Sequence, residues 1–334
     1  MSSQHSFTVV STFSGAGGSS LGYQLAGGKV LLAVEWDDNA VATYRLNFKD
    51  TPIYHGDIGK LTVEECCELA GVQPRELDIL DGSPPCQGFS TAGKRDFGDD
   101  RNQLFREFVR LLQGLQPKVF VMENVSGMVK GKMKLIFVEC LRELKASGYK
   151  VKAKVLNAMY FNVPQSRQRL IFVGVREDLG IEPGHPKAEG MPMTAGQCLA
   201  DCPNGNAPPI KAGRFLDRLM RLKVGQRHGE VYGSGFQKVR IDPRRVSPAI
   251  TKANMMGHSE LYHWIQPRPL TDRELARLST FGDTFQFAGT YREIVDRIGN
   301  SVPPNFMRAI AEYIRDNILQ CMADMGLEPR LSDG

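Results

Sequence analysis

The sequence has no long apolar run. Its longest stretches, such as residues 30–34 and 119–122, fall far short of the about 20 residues that a helix needs to cross a bilayer. The first residues carry no basic segment followed by an apolar core, so they do not resemble an export signal. Internal repeats and low-complexity tracts are also lacking. We therefore expect a cytoplasmic protein that makes no contact with a membrane.

Cysteine is sparse, and its spacing argues against two kinds of site. The seven cysteines are an odd number and lie apart from one another, except for the adjacent Cys66 and Cys67. In a chain that is not exported, such cysteines are expected to be free thiols rather than a disulfide framework. No paired metal-ligand spacing is present, so we expect no metal site.

Length and composition are those of a globular protein. The 334 residues are 42% hydrophobic and 24% charged, which excludes a disordered or collagen-like chain. At about 150 residues per domain, the chain is long enough for two lobes, or for one large domain with an insertion.

The formal net charge of +5 is small, but the charges are unevenly distributed. Residues 1–100 carry 7 lysines and arginines against 14 acidic residues. Residues 211–252, which we call the basic segment, carry 11 lysines and arginines against 3 acidic residues. Such a segment predicts that a polyanion binds to one lobe only, although a solvated basic face has the same composition.

Apolar runs and helical patterns alternate through the first 175 residues. Strands are predicted at residues 7–13, 30–36, 77–80, 119–122 and 170–175, and helices near 19–27, 38–48, 62–70, 102–115 and 132–147. This alternation is typical of an α/β fold in which helices cover both faces of a mostly parallel sheet.

The pattern changes after about residue 176. Residues 180–212 are rich in proline and glycine and show no periodicity. A capping box at Thr271–Glu274 predicts a helix over 271–279, and a further helix is predicted from Pro303-Pro304 to Met322.

A glycine-rich turn, Phe13-Ser14-Gly15-Ala16-Gly17-Gly18, follows the first predicted strand. Glycines there let a ligand approach the backbone and direct helix N–H groups toward it. Glu35-Trp36 ends the next strand, where the carboxylate could bind a ribose and the indole could stack on an adenine. Gly56-Asp57-Ile58 adds a carboxylate suited to the exocyclic amine of adenine. The three features favour an adenosine-containing cofactor, although ordinary strand-end caps share the pattern.

The segment Gly82-Ser83-Pro84-Pro85-Cys86-Gln87-Gly88-Phe89-Ser90 leaves a predicted strand at its carboxyl end. Open α/β sheets bind ligands at this edge. Two prolines restrict the backbone before Cys86, and a polar loop over residues 91–101 follows it. A lone cysteine is usually a buried apolar residue, but these surroundings favour a nucleophile.

Two more motifs carry groups that can bind a flat heterocycle. Glu123-Asn124 ends the strand predicted at residues 119–122, where a carboxyl and an amide could read a polar ring edge or cap the next helix. In Gln165-Ser166-Arg167-Gln168-Arg169, strand alternation places both arginines on one face. Two guanidinium groups suit a carboxylate, a phosphate or a base oxygen, although a solvent-facing edge strand has the same pattern.

In this order, the motifs resemble those of the C5-cytosine DNA methyltransferases, in their short bacterial or phage form. The resemblance covers nearly the whole chain, and Pro-Cys-Gln, Glu-Asn-Val and Gln-x-Arg-x-Arg in sequence are its most specific parts. The motifs that carry it are Phe13 to Gly18, Glu35-Trp36, Gly56-Asp57-Ile58, Pro85-Cys86-Gln87, Arg101 to Phe105, Glu123-Asn124-Val125, Gln165 to Arg169, Arg268 to Phe281 and Gly299 to Pro304.

The resemblance implies an S-adenosylmethionine-dependent, Rossmann-like methyltransferase fold with a smaller inserted target-recognition domain. Residues 1–176 would form the catalytic and cofactor-binding lobe, 177–265 the recognition region, and 266–334 a segment that returns to the catalytic lobe. The basic segment then falls inside the recognition region. The implied reaction is methyl transfer to C5 of a cytosine in a specific duplex sequence, through a covalent bond between Cys86 and C6 of a flipped base.

The resemblance also implies residue roles. The catalytic set comprises Cys86, Glu123, Asn124, Arg167 and Arg169. The cofactor set comprises Phe13, Gly15, Gly17, Glu35, Trp36, Asp57, Ile58, Pro85, Leu104, Asn300 and Ser301. DNA contacts are expected from Gln87, Ser90, Arg101, Arg244, Arg245 and Thr251, and the loop 89–100 is expected to close over the base.

Duplex DNA is the implied partner, which would associate this protein with the nucleoid. A monomer is expected, and a cognate restriction endonuclease acting separately is compatible with this form of the family. Three rival functions remain: an RNA (tRNA) cytosine methyltransferase with the same catalytic groups, a dinucleotide-dependent oxidoreductase, and an inactive DNA-binding relative. The oxidoreductase leaves Pro-Pro-Cys, Glu-Asn-Val and the paired arginines without a role, and an inactive relative would be expected to have lost Cys86 or Glu123.

Overall fold

A computed structural model describes residues 7–85, 103–188, 190–210, 213–233, 238–255 and 257–326. Seven strands form one sheet: β1 Phe7–Thr12, β2 Gly28–Glu35, β3 Ile53–His55, β4 Ile79–Gly82, β5 Val119–Val125, β6 Tyr149–Asn157 and β8 Gln168–Arg176. Their order is β3-β2-β1-β4-β5-β8-β6. The first five pair in parallel, whereas β8 runs antiparallel to both β5 and β6. The mostly parallel α/β sheet is thereby confirmed.

Among the described residues, helices α1 to α5 lie between the strands of this sheet in sequence, and helices α6 to α12 follow its last strand. They are α1 Gly18–Leu25, α2 Asp38–Asn47, α3 Val63–Ala70, α4 Gln103–Leu115, α5 Lys134–Ala146, α6 Ala195–Leu199, α7 Arg214–Arg221, α8 His228–Tyr232, α9 Asp272–Leu278, α10 Tyr291–Asn300, α11 Pro304–Ile314 and α12 Gln320–Asp324. A π-helical turn, Arg315–Leu319, joins the last two. In the described ranges, no helix is both long and apolar enough to span a membrane.

Apolar clusters cover both faces of the sheet, as the alternation predicts. On one face, Tyr23 of α1 and Phe306 of α11 belong to a buried cluster with Val9 and Val121 of the sheet. On the other face, side chains of α3, α4 and α5 bury Val10, Leu80 and Phe120. The sheet is therefore the centre of the core.

Strand β6 and helix α10 are among the elements that are absent from the sequence-based prediction. Strand β6 alternates apolar residues with lysines at 150, 152 and 154, which is the pattern of a half-exposed strand. Helix α10 begins at a capping box. Thr290 Oγ1 accepts the Glu293 backbone N–H, and the Glu293 carboxylate accepts the Thr290 backbone N–H. The same signal at Thr271 predicts α9, and that helix is confirmed.

The later part of the chain builds a third apolar cluster beside α2. Leu199, Ile250 and Leu261 pack there with Phe48 and with residues of α9 and α10. Three two-residue strands, β9 Val239–Arg240, β10 Ser247–Pro248 and β11 Leu261–Tyr262, pair with one another or with β7 Gln165–Ser166. The core of residues 195–261 is thus shared with residues 270–298, and a small cluster around Leu219, Leu222 and Tyr262 lies apart from it.

Candidate active site at the carboxyl edge of the sheet

The glycine-rich turn after β1 is held open by left-handed backbone conformations. Phe13, Gly15 and Gly17 have φ angles of 54°, 55° and 92°. A Cβ at Gly17 would lie 2.2 Å from the Phe48 ring, so the turn depends on glycine there for space as well as for φ. Gly15 has no atom within 4 Å of the position of a Cβ, which leaves one side of the turn open.

Glu35 ties the end of β2 to this turn. One carboxylate oxygen accepts the Gly15 N–H at 2.7 Å, and the other accepts the N–H groups of Trp36 and Asp37 at 2.9 and 3.0 Å. The oxygen bonded to Gly15 keeps a further lone pair for a ligand, because a carboxylate can accept about four hydrogen bonds, two at each oxygen. The Trp36 side chain is 77% exposed beside it, with its ring available for stacking.

The other residues predicted for the cofactor lie around the same edge. Asp57 is exposed and accepts the Gly59 N–H at 2.9 Å, while Ile58 is buried below it. Leu104, at the start of α4, packs at the margin of the core, and Pro85 is exposed.

Asn300 and Ser301 reach this turn from the far end of the chain. A Cβ at Gly18 would lie 2.3 Å from the Val302 carbonyl oxygen and 3.1 Å from the Ser301 Cβ. Arg297 adds an ion pair with Asp37 at 2.9 Å. The structure therefore brings the end of α10 against the start of α1.

Glu123 and Arg169 form a partly buried ion pair at the same edge. Arg169 Nε lies 2.7 Å from Glu123 Oε1, and the two side chains are 18% and 11% exposed. Asn124, the next residue of β5, donates from Nδ2 to the Pro84 carbonyl at 3.3 Å and accepts the Val125 N–H at 2.8 Å. Asn124 thereby links the catalytic strand to the backbone two residues before Cys86.

Arg167 is also predicted as a catalytic residue, and it lies beside this ion pair with hydrogen bonds of its own. Its guanidinium is buried and donates to the backbone carbonyls of Ile250 and Gly299, both at 2.9 Å. Burial and the neighbouring Arg169 lower the pKa of Arg167, whereas Glu123 opposes this effect. Arg167 lies near the ion pair, but its hydrogen bonds hold main chain.

Gln165, which the sequence-based site set omits, completes this junction. Its Oε1 accepts the Ile250 N–H at 3.0 Å, and its Nε2 donates to Ser279 Oγ at 3.1 Å. A Cβ at Gly299 would lie 2.5 Å from the Thr251 carbonyl carbon. Gln165 and Arg167 therefore fix the residues directly before Thr251 and Asn300. The Gln-x-Arg motif marks both residues in the sequence, but the segments that they bind, at Ile250 and Gly299, are far away along the chain.

The structure describes three of the six residues that are predicted to contact DNA. Arg244 and Arg245 are 84% and 81% exposed and lie 3.2 and 3.7 Å from Asp242. Their proximity lowers the pKa of Asp242. Thr251 is exposed. Cys86, Gln87, Ser90, Arg101 and the loop 89–100 lie outside the described residues.

The six cysteines among the described residues are free thiols, as the sequence predicts. Cys66, Cys67 and Cys140 are buried, and burial raises the pKa of the Cys66 thiol to about 12. A thiol with so high a pKa is a poor nucleophile at neutral pH. None of these three is a rival to Cys86.

Comparison with known proteins places these features in a family. The chain is 36% identical over 336 residues to the Type II methyltransferase M1.HphI of Haemophilus parahaemolyticus, covering 92% of this chain and 87% of that relative. It is 31% identical to the Type II methyltransferase M.XorII of Xanthomonas oryzae, covering 91% and 84%.

Solved structures show the same architecture. The crystal structure of a protein assigned as a prophage-encoded DNA modification methyltransferase of E. coli is similar, with a TM-score of 0.76, 26% identity and coverage of 94% and 99%. The Dnmt2 methyltransferase of S. pombe shares the fold, with a TM-score of 0.64, 20% identity and coverage of 94% and 99%. A model of the C-5 cytosine-specific DNA methylases matches residues 7–316, and this chain therefore belongs to that family.

Proposed function

We propose that this protein transfers a methyl group from S-adenosylmethionine to C5 of a cytosine in a specific duplex DNA sequence. The observation that carries the proposal is the joint placement of Glu123, Arg169 and Asn124, with Asn124 bonded to the backbone two residues before Cys86. These groups share the carboxyl edge of the sheet with the glycine-rich turn, so a base and a cofactor can meet there.

The cofactor proposal rests on the fit of the glycine-rich turn and Glu35 to an adenosine. Glu35 is fixed by three backbone N–H groups and retains acceptor capacity for a ribose hydroxyl, and Trp36 offers an exposed ring for the adenine. Asp57 is exposed at the neighbouring strand end, within the same edge. Bound S-adenosylmethionine supplies an electrophilic methyl group, which cytosine C5 alone is too weak a nucleophile to take.

The protein's task is to activate C5. The Cys86 thiolate adds to C6, which makes C5 electron-rich. Glu123 stabilises the ring through N3, and Arg169 holds the Glu123 side chain in place. Asn124 fixes the segment that carries Cys86 relative to β5. Once C5 carries the methyl group, loss of the C5 proton and breaking of the Cys86–C6 bond restore the aromatic ring and release Cys86 as a thiolate. A stacked base cannot reach these groups, so the cytosine must be flipped out of the duplex.

The recognition region supports a duplex DNA substrate. Its basic segment presents exposed arginines at 244 and 245, and Arg167 and Gln165 both bond the backbone of Ile250, the residue before Thr251. The curated relatives are named as Type II methyltransferases, which favours a modification enzyme paired with a separate restriction endonuclease. We further propose a cytoplasmic monomer that associates with the nucleoid through DNA.

Family membership removes the oxidoreductase alternative, and substrate choice decides between DNA and RNA. The purified protein is supplied with tritiated S-adenosylmethionine and either mixed genomic DNA or transfer RNA. We expect label in DNA alone, and bisulfite sequencing should place it at one cytosine of one short sequence. Cys86→Ala is the matched control and should transfer no label. Label in transfer RNA alone would establish the rival.

A further inference from the structure

A single helical turn at the edge of the sheet follows Asp57 and contains Ile58, two of the residues predicted for the cofactor. Strand β3 is the outermost strand of the sheet and has only three residues. The chain leaves it through a 3₁₀ turn, Ile58–Lys60, and the Asp57 carboxylate accepts the Gly59 N–H at 2.9 Å. So short a strand and so short a helix provide few hydrogen bonds of their own. The position of Asp57 therefore depends on contacts from elsewhere in the fold.

Arg110 of α4 supplies such a contact. One terminal nitrogen of its guanidinium, Nη2, donates to the Ile58 carbonyl at 2.9 Å and to the Leu61 carbonyl at 2.8 Å. These carbonyls lie at the first residue of the turn and at the residue just after it. Because the guanidinium is planar and always charged, the two bonds tie both ends of the turn to α4.

Glu107 holds Arg110 in this orientation. Its carboxylate lies 2.7 Å from Arg110 Nε, one helical turn away, and the two side chains are 17% and 36% exposed. A Cβ at Gly59 would lie 3.7 Å from the Glu107 carboxyl carbon, so Glu107 also packs near the turn. Leu104, another residue predicted for the cofactor, lies one helical turn before Glu107. Helix α4 therefore connects two parts of the predicted cofactor site.

The apolar packing of the turn does not use Arg110. Ile58 and Leu61 are 5% and 0% exposed, and they belong to the buried cluster that includes Phe108 of α4. Their side chains hold the turn against the core. Asp57, by contrast, is exposed, and the direction of its carboxylate follows from the backbone that Arg110 binds.

We propose that Arg110 is a positioning residue for the adenine of the cofactor: by holding both ends of the turn, it keeps the Asp57 carboxylate where it accepts the exocyclic amine. This inference rests on the proposed function, because it takes S-adenosylmethionine as the ligand of this edge. Without Arg110, the turn would still pack through Ile58 and Leu61, but Asp57 would select adenine less well.

The test is equilibrium binding of two ligands, measured by calorimetry. S-adenosylhomocysteine is the cofactor without its methyl group, and S-inosylhomocysteine has a carbonyl oxygen in place of the exocyclic amine. The wild-type protein should bind the adenosyl ligand about 10- to 100-fold more tightly, the effect of one hydrogen bond to a charged group. Arg110→Met should weaken binding of the adenosyl ligand about tenfold and leave the inosyl ligand nearly unchanged. A variant that merely loosened the fold would weaken both ligands and leave the ratio of their affinities as it was.

Further variants show whether Arg110 acts through Asp57. Asp57→Ala should remove the preference for the adenosyl ligand, and adding Arg110→Met to it should change the ratio no further. Arg110→Lys keeps the charge but loses the planar group that also binds Glu107, and Glu107→Gln weakens the hold on Arg110 Nε, so each should lower the ratio by less. Arg106→Met is the matched control, because Arg106 is exposed on the same helix beside Glu139 of α5. It should change neither affinity.

An unchanged ratio in a folded Arg110→Met protein would overturn the role of Arg110. If circular dichroism shows that this variant does not fold, Arg110→Lys and Glu107→Gln decide, and an unchanged ratio in both would overturn the role equally. Binding of both ligands by the wild-type protein without a preference would overturn the placement of adenine at Asp57, and this inference with it. A wild-type protein with no affinity for S-adenosylhomocysteine would instead overturn the proposed function.

Discussion

Replacing Arg167 tests whether this arginine holds the site together or takes part in the chemistry. Arg167→Met keeps most of the apolar stem but removes the donors to the Ile250 and Gly299 carbonyls. An unsatisfied buried acceptor costs about 1–3 kcal/mol, so two of them should lower the free energy of unfolding by about 2–6 kcal/mol. Arg167→Lys can reach at most one carbonyl and should lose about half of that amount.

Urea denaturation followed by circular dichroism measures the loss, and cofactor and DNA affinities are measured alongside. Both affinities should fall together, because the two carbonyls directly precede Thr251 and Asn300. Arg244→Met removes an arginine that is 84% exposed and should change stability by less than about 0.5 kcal/mol. The reasoning is refuted if Arg167→Met unfolds at the wild-type urea concentration. A lysine variant of normal stability with a greatly reduced kcat would instead support a direct role for Arg167 in catalysis.

Three other results are expected. Cys86→Ala should abolish methyl transfer and leave cofactor binding nearly unchanged. DNA with 5-fluorocytosine at the target should trap a covalent adduct on the Pro85-Cys86-Gln87 peptide, and only when S-adenosylmethionine is present. An adduct on another cysteine would contradict the mechanism. Replacing Arg244 and Arg245 by alanine should reduce the slope of log affinity for DNA against log salt by about 1–2, whereas Arg308→Ala on α11 should not; an unchanged slope would mean that the pair faces solvent only. Gly17→Ala should weaken cofactor binding more than tenfold, since the new Cβ would lie 2.2 Å from the Phe48 ring at a φ of 92°; normal binding measured by calorimetry would show that the turn is not the cofactor site.

Much of the fold could be predicted because its strands are continuous apolar runs. Buried parallel strands such as β2 and β5 contain such runs, and their separation by amphipathic helices indicates a parallel sheet. Strand β6 was not predicted, although the alternation of lysines with Val151 and Ala153 is visible in the sequence. The direction of β8 was not predictable from its composition, because antiparallel and parallel strands differ in their hydrogen bonds rather than in their residues.

The part of the site that lies at strand ends was predictable from the sequence. Glu35, Glu123 and Asn124 end their strands at one edge of a parallel sheet, so their proximity follows from topology. The role of Arg167 does not follow, because its partner carbonyls lie 83 and 132 residues further along the chain. Every residue has a backbone carbonyl, so a sequence does not show which carbonyl an arginine will bind. The motif and its spacing therefore predicted a carboxylate, a phosphate or a base oxygen as the partner of Arg167.

The reversed strand β8 decides where the recognition region can be attached. Because β8 enters the sheet at Arg169, beside Val125, and leaves at Arg176, beside Tyr149, the chain emerges at the edge opposite the active site. The nine residues of β8 span about 30 Å, and the chain must cover that height again before Ser247 pairs with Gln165 at the catalytic edge. The connection between Leu179 and Ala195 is therefore a return crossing with a minimum length. Insertions in it should be tolerated, whereas deletions that shorten it below this height would pull Ser247 away from Gln165 at the carboxyl edge of the sheet.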